Sequence, residues 1–255
     1  MVVKHEIKSQ LAKLLATEDL IVENKKVETA QFDVQSRVLT LPIWEKASNN
    51  VYDSLVAHEV GHALYTPDRD WWKEYKIPQQ FVNVVEDARV EKLMKRRYAG
   101  LAKTFYTGYN ELHDQDFFQV NDEDISTFNL ADRINLYFKV GSFLTVDFSS
   151  IEKPIVNLVN DCETFDDTLS AAETLYNFCK KELEKQREEI NAKGDGISFG
   201  EDTGMDIFGT DWDDCDTDSG DINNPNLENN DDYDCESSSN AGVLNNNLDV
   251  KTADS

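Results

Sequence analysis

Val56-Ala57-His58-Glu59-Val60-Gly61-His62-Ala63-Leu64 sets two histidines four residues apart inside an apolar run. On a helix, positions i and i+4 share a face, so both imidazoles can address one metal ion. Glu59, one residue after the first histidine, is close enough to act on a water at that metal without ligating it. The motif uses two of the four histidines in the chain. The competing reading is two surface histidines on an amphipathic helix beside an unrelated Glu. Gly61 in mid-helix costs about 1 kcal/mol relative to Ala, so a close neighbour is expected there.

Working outward, Ser48–Asn50 can cap this helix at its start, and Thr66-Pro67-Asp68 stops it after Tyr65. Upstream, TAQFDVQSRVLTLPI (29–43) alternates apolar and polar residues around a polar turn at Gln35–Ser36. That pattern predicts two short extended segments in a hairpin ended by Pro42. Residues 4–19 predict a helix with Ile7, Leu11, Leu14 and Leu15 on one face. Downstream, 68–78 reads as a loop and a second helix runs from after Pro78 to about Arg97. A third covers roughly 100–112. Two more helical pieces fall in 124–147, and two helices in 150–192, the last charged on every face towards its end.

A tetrahedral catalytic zinc needs a third protein ligand and an open position for water. The second helix supplies it, in Phe81-Val82-Asn83-Val84-Val85-Glu86-Asp87-Ala88-Arg89-Val90-Glu91. Acidic residues inside an apolar run are hard to explain as a plain surface. Glu86 is the preferred ligand and Asp87 its rival. Glu91 shares a face with Asp87, so the two can act as ligand and support, or both can orient the histidines from behind. The bland alternative is an ion-pair cluster with Arg89, Lys92, Arg96 and Arg97. His113 could donate to a reacting oxygen, although its polar setting reads first as surface. Tyr65, Tyr106 and Tyr109 could stabilise an oxyanion, although packing is their commoner use.

The chain has 255 residues, is 40% hydrophobic and 10% aromatic, and carries a formal charge of −25. That is enough apolar material for a core. Residues 201–255 hold 16 of the 50 acidic residues and only Lys251 as a base, which leaves −10 on the first 200. An acidic surface repels phosphate backbones, so no nucleic-acid partner is expected, and no membrane partner either. No apolar run is long enough to span a bilayer. The N-terminus lacks an apolar signal core, and the expected location is the cytoplasm. Cys162, Cys179, Cys215 and Cys235 form no CxxC pair, so free thiols are expected. From about Gly194, Gly, Asn, Asp and Ser dominate, and disorder is expected. The Asp214–Asp218 run hints at a calcium loop but lacks its Gly and Glu positions.

The segments AHEVGHALYTP and NVVEDARVEKLM, with FDVQSRVLTLPIW before them, resemble the HExxH metallopeptidase-like domain of proteins that also carry a von Willebrand factor A domain. That group includes tailed-bacteriophage proteins and relatives of the cobalt chelatase T subunit. The resemblance covers roughly residues 30–112. It implies a gluzincin-like fold with His58, His62 and Glu86 on Zn2+ and Glu59 as catalytic base. It also implies a von Willebrand factor A domain or an ATPase as partner, and host cytoplasm where the source is a bacteriophage. The acid that follows the third ligand by four residues in thermolysin-like gluzincins is Val90 here, which reopens the choice between Glu86 and Asp87. No DxSxS motif occurs in the chain, so it holds no von Willebrand domain of its own.

The expected architecture is α+β and mostly helical. A zincin-like core with a small β segment before the HExxH helix spans 1–125, a helical extension 126–193, and a disordered acidic linker 194–255. The chain thus reads as a piece of a longer protein. The expected function is a zinc-dependent metallopeptidase acting on a protein or peptide through a metal-activated water. The alternative is a non-catalytic zinc-containing adaptor or assembly module working with an ATP-driven partner.

Overall fold

A computed structural model describes residues 4–27, 29–44 and 47–192. The acidic segment 194–255, with Cys215, Cys235 and the Asp214–Asp218 run, lies outside the described residues. The described part is α+β and mostly helical. It comprises α1 (His5–Ala16), β1 (Ile21–Lys25), β2 (Gln31–Asp33), β3 (Val38–Pro42), α2 (Asn49–Tyr65), α3 (Gln79–Arg97), α4 (Leu101–Asp114), α5 (Leu130–Val140), α6 (Lys153–Asp161) and α7 (Phe165–Ala192). Among the described residues, no helix is long and apolar enough to cross a membrane.

The hairpin is present as β2 and β3, with Phe32 opposite Leu39. Its turn is held by the Asp33 carboxylate, which accepts from the backbone N–H groups of Gln35 and Ser36 at 2.9 and 3.0 Å. β1, which the alternation did not single out, pairs parallel with β3 from Ile21–Val38 to Lys25–Pro42 and puts β3 at the centre of the sheet. This position explains why Leu39 and Leu41 are fully buried. Pro42 ends the strand, and its carbonyl accepts from the Tyr52 hydroxyl at 2.6 Å, tying the sheet to α2.

α2 is capped by the Ser48 hydroxyl, which accepts from the backbone N–H groups of Asn50 and Val51. Eleven of its 17 residues are buried, because α1 and the sheet cover one side and α3 and α4 the others. Gly61 faces α3: a Cβ there would lie 3.1 Å from Met94 Cγ and 3.2 Å from Val90 Cβ. The close neighbour expected of a mid-helix glycine is therefore α3. Gly108 plays the same part for α4, where a Cβ would meet Ser54 Cβ at 2.8 Å and the Asn50 carbonyl at 3.1 Å.

α1 keeps half of its expected face. Leu15 is buried and Leu11 packs on the core as expected, but Ile7 and Leu14 are exposed, and Lys8, Ala12 and Ala16 complete the buried face. Lys8 can be buried because Asp53 of α2 meets its ammonium at 2.6 Å. The two helical pieces expected in 124–147 are a short 3-10 turn (Ile125–Thr127) and α5. α3 lies in the middle of the fold: its first half packs with α5, α6 and α7 in one hydrophobic cluster, and Met94 joins the cluster of α1, α2 and the sheet. The first of these clusters draws residues from both sides of position 125.

Candidate metal centre

α2 and α3 bring His58, His62 and Asp87 together, all buried. His58 Nε2 and His62 Nε2 lie 3.3 Å apart. Asp87 Oδ1 is 3.2 Å from His62 Nε2 and 3.5 Å from His58 Nε2. The three atoms form a nearly equilateral triangle. This group could hold a metal ion.

The far side of each imidazole shows why these atoms face inward. Thr66, the C-cap of α2, donates its hydroxyl hydrogen to Glu86 Oε1 at 2.6 Å. A hydroxyl has one hydrogen to give, so its contact with His62 Nδ1 at 3.0 Å must accept an N–H from the ring. That fixes the tautomer and leaves His62 Nε2 with its lone pair directed at the triangle. His58 Nδ1 lies 3.1 Å from Glu91 Oε1, which sets that ring the same way. Glu91 also accepts from the Tyr109 hydroxyl and, through its other oxygen, from Lys95 at 3.0 Å. Asp87 Oδ2 takes the Lys139 ammonium at 2.9 Å, and Oδ1 is left buried without a hydrogen-bond donor.

The expected third ligand, Glu86, is not in the triangle. Its carboxylate is occupied on both oxygens: Arg89 donates at 2.8 and 2.5 Å, Thr66 at 2.6 Å and Thr168 of α7 at 2.9 Å. The physical reason is helix phase. Adjacent residues on a helix point about 100° apart, so when Asp87 faces α2 its neighbour turns toward Tyr65, Thr66 and α7. The group that could hold a metal thus contains the rival, Asp87, while Glu86 meets His62 through Thr66.

Electrostatics follow this geometry. Burial pulls the His58 imidazole down, but Asp87, Glu91 and Glu59 outweigh it and raise it to about 10. Burial raises the Asp87 carboxyl, yet Lys139 and His58 carry it well below the ordinary range. Glu91, opposed by burial, is brought down to about 2 by Lys95 and His58. Burial pushes Glu59 up, and both of its carboxylate oxygens are buried without a partner. A cation at the triangle, either a proton on His58 or a metal ion, relieves the lone pairs that meet there.

His113 is not part of the centre: its ring stacks on Phe143 at 6.2 Å. Tyr106 is an exposed residue packed on that same ring. Tyr65 contributes its backbone carbonyl to Arg89. Tyr109 reaches the centre, but as a support of Glu91. Lys139 and Thr168 escaped the sequence reading. Neither carries a local motif, and both come from helices beyond residue 125. The chain matches no known protein family, and no curated protein or solved structure shows significant similarity to it.

Proposed function

We propose that the protein is a zinc-dependent peptide hydrolase, with His58, His62 and Asp87 as the metal ligands and Glu59 as the general base. The observation that carries the reading is the size of the triangle. Zinc bonds of about 2.0–2.1 Å at tetrahedral angles put ligand atoms about 3.3–3.4 Å apart. The edges are 3.2, 3.3 and 3.5 Å. One carboxylate and two neutral imidazoles, each ring anchored at Nδ1, are also the donor set of a catalytic zinc with one position left open. When bound, zinc supplies Lewis acidity for the scissile carbonyl and for a water nucleophile at neutral pH.

Glu59 then takes a proton from the attacking water and passes it to the leaving amine. Its raised affinity for a proton and its lack of any hydrogen-bond partner suit it to hold and release that proton. The likeness to metallopeptidase-like domains of von Willebrand factor A-containing proteins supports the same assignment, and makes such a domain, or an ATPase, the proposed partner. A second reading, a zinc-stabilised adaptor without turnover, is favoured by one feature: His58, Glu59, His62 and Asp87 are each at most 5% exposed.

The Glu59→Gln variant separates the two. It should keep about one zinc per chain and the fold, and lose about 10²–10⁴-fold in cleavage rate on a panel of denatured proteins and peptides. A wild type that binds zinc, folds and cleaves nothing on the panel would favour the adaptor reading. Absence of bound zinc in the wild type would remove both.

A further inference from the structure

A cleft of about 380 Å³ opens beside the His58–His62–Asp87 group, between α3, α5 and the end of α6. Asn135 and Lys139 line it from α5; being four residues apart, they project from one face of that helix. Asn135 is only 5% exposed, and its side-chain amide has no hydrogen-bond partner among the described residues. Its amide is not sealed from solvent, so at the cleft wall it is available to a ligand that replaces water. Lys139 is nearly as buried, with 11% of its side chain exposed, and spends one donor on Asp87 Oδ2. An ammonium has three donors, so two remain for the cleft.

The rest of the lining sets the sign of the ligand. Lys92, Lys95 and Arg96 stand along α3, which with Lys139 makes four cations against Asp87, Glu91 and the Glu163 carboxylate that meets Lys92 and Arg96. Lys92 is committed to the carbonyls of Asn160 and Cys162, and Arg96 to Glu163. Glu91 is saturated by His58, Tyr109 and Lys95. The remaining oxygen of Asp87 points at the histidines. The cleft thus keeps one more cation than carboxylates on a chain of net charge −25. Val84, Ala88 and Phe138 form an apolar wall beside these donors. A carboxylate on a short methylene stem suits that wall better than a fully hydrated inorganic anion does.

We propose that this cleft is a carboxylate subsite, which seats an acidic side chain of the bound peptide on the Asn135 amide and the Lys139 ammonium. That the occupant is a peptide to be cleaved rests on the peptidase reading; the binding of a carboxylate does not. Lys139 joins the two sites, because the ammonium that meets the ligand also holds Asp87. The subsite makes an acidic residue, placed next to the scissile bond, the specificity determinant.

The test uses the full chain and two small probes, N-acetylglutamate α-amide and its neutral isostere N-acetylglutamine α-amide, followed by calorimetry and by amide NMR shifts. The glutamate probe should bind and shift α5 resonances. The glutamine probe should bind at least about tenfold more weakly, and added salt should weaken the glutamate probe. Asn135→Ala should cost about tenfold, and Asn135→Asp, which keeps the shape and reverses the electrostatics, should abolish binding. Thermal melts of both variants confirm that they fold. Equal binding of the two probes, no binding of either, or unchanged binding in both variants would overturn the subsite. Tighter binding of inorganic phosphate than of the glutamate probe would also overturn it. Metal analysis on the same samples keeps the readings apart: zinc without carboxylate binding removes the subsite alone, and carboxylate binding without zinc removes the peptidase reading alone.

Discussion

Thr66 donates its hydroxyl hydrogen to Glu86 across 2.6 Å and, having no other to give, must receive the Nδ1 hydrogen of His62. One methyl-bearing side chain at the end of α2 thereby decides which nitrogen of His62 is free. The carboxylate that the sequence favoured as ligand touches the His58–His62–Asp87 group only through Thr66.

That arrangement ranks three substitutions. Asp87→Ala should lose zinc outright, since it removes a corner of the triangle. Thr66→Val should keep the fold and weaken zinc by about 10–100-fold, the usual cost of losing the partner that orients a ligating histidine. Thr66→Ser should restore it. Glu86→Gln should resemble Thr66→Val rather than Asp87→Ala, because its effect passes through Thr66. The measurements are zinc competition with a chromophoric chelator and the visible spectrum of the cobalt-substituted protein. Loss of zinc in Glu86→Gln with retention in Asp87→Ala would reverse the ligand assignment.

The pH dependence has a definite sign. The His58 imidazole is held at about 10 in the folded metal-free protein, above the ordinary value of about 6.5 in an unfolded chain. The stability that this proton contributes is fully present below about pH 6.5 and is lost as pH rises toward about 10. Zinc needs the same nitrogen unprotonated, so its affinity rises through that window as the metal-free protein weakens. The increase in melting temperature caused by zinc should therefore be larger at about pH 8.5 than at about pH 6.5. Calorimetry in buffers of different ionisation enthalpy should find about one proton released per zinc bound at neutral pH. A zinc-induced shift that is flat or falls with pH would contradict a proton-occupied triangle.

The two close helix approaches should respond unequally to a methyl group. At Gly61 the added carbon meets the flexible end of Met94 and the side chain of Val90. A gain in helix propensity of about 1 kcal/mol offsets part of the strain. At Gly108 it meets Ser54 Cβ at 2.8 Å and the Asn50 backbone at 3.1 Å, neither of which yields cheaply. Gly108→Ala should cost about 1–3 kcal/mol in urea unfolding and exceed the cost of Gly61→Ala. Adding Ser54→Ala, which removes the hydroxyl nearest that carbon, should recover part of the loss, and a double-mutant cycle measures the coupling.

The sequence by itself determined the two histidines and the glutamate on one helix, the Ser48 cap, the β2–β3 hairpin and the identity of α3 as the acidic partner. All of these rest on local periodicity and local hydrogen bonding, which a linear pattern records. It also narrowed the third ligand to two adjacent residues. Only the tertiary structure shows which of them faces the histidines, because the phase of α3 about its own axis is set by packing. Gly61 against Val90 and Met94, and α5, α6 and α7 on the opposite side, turn Asp87 toward the histidines and Glu86 toward Arg89 and Thr168. The same is true of α1, whose buried face was chosen by the Lys8–Asp53 contact over Ile7 and Leu14. Lys139 and Asn135 were invisible for a related reason. Each is an ordinary polar residue on an amphipathic helix until α5 lies against α3 and the charge of Asp87 gives Lys139 its place.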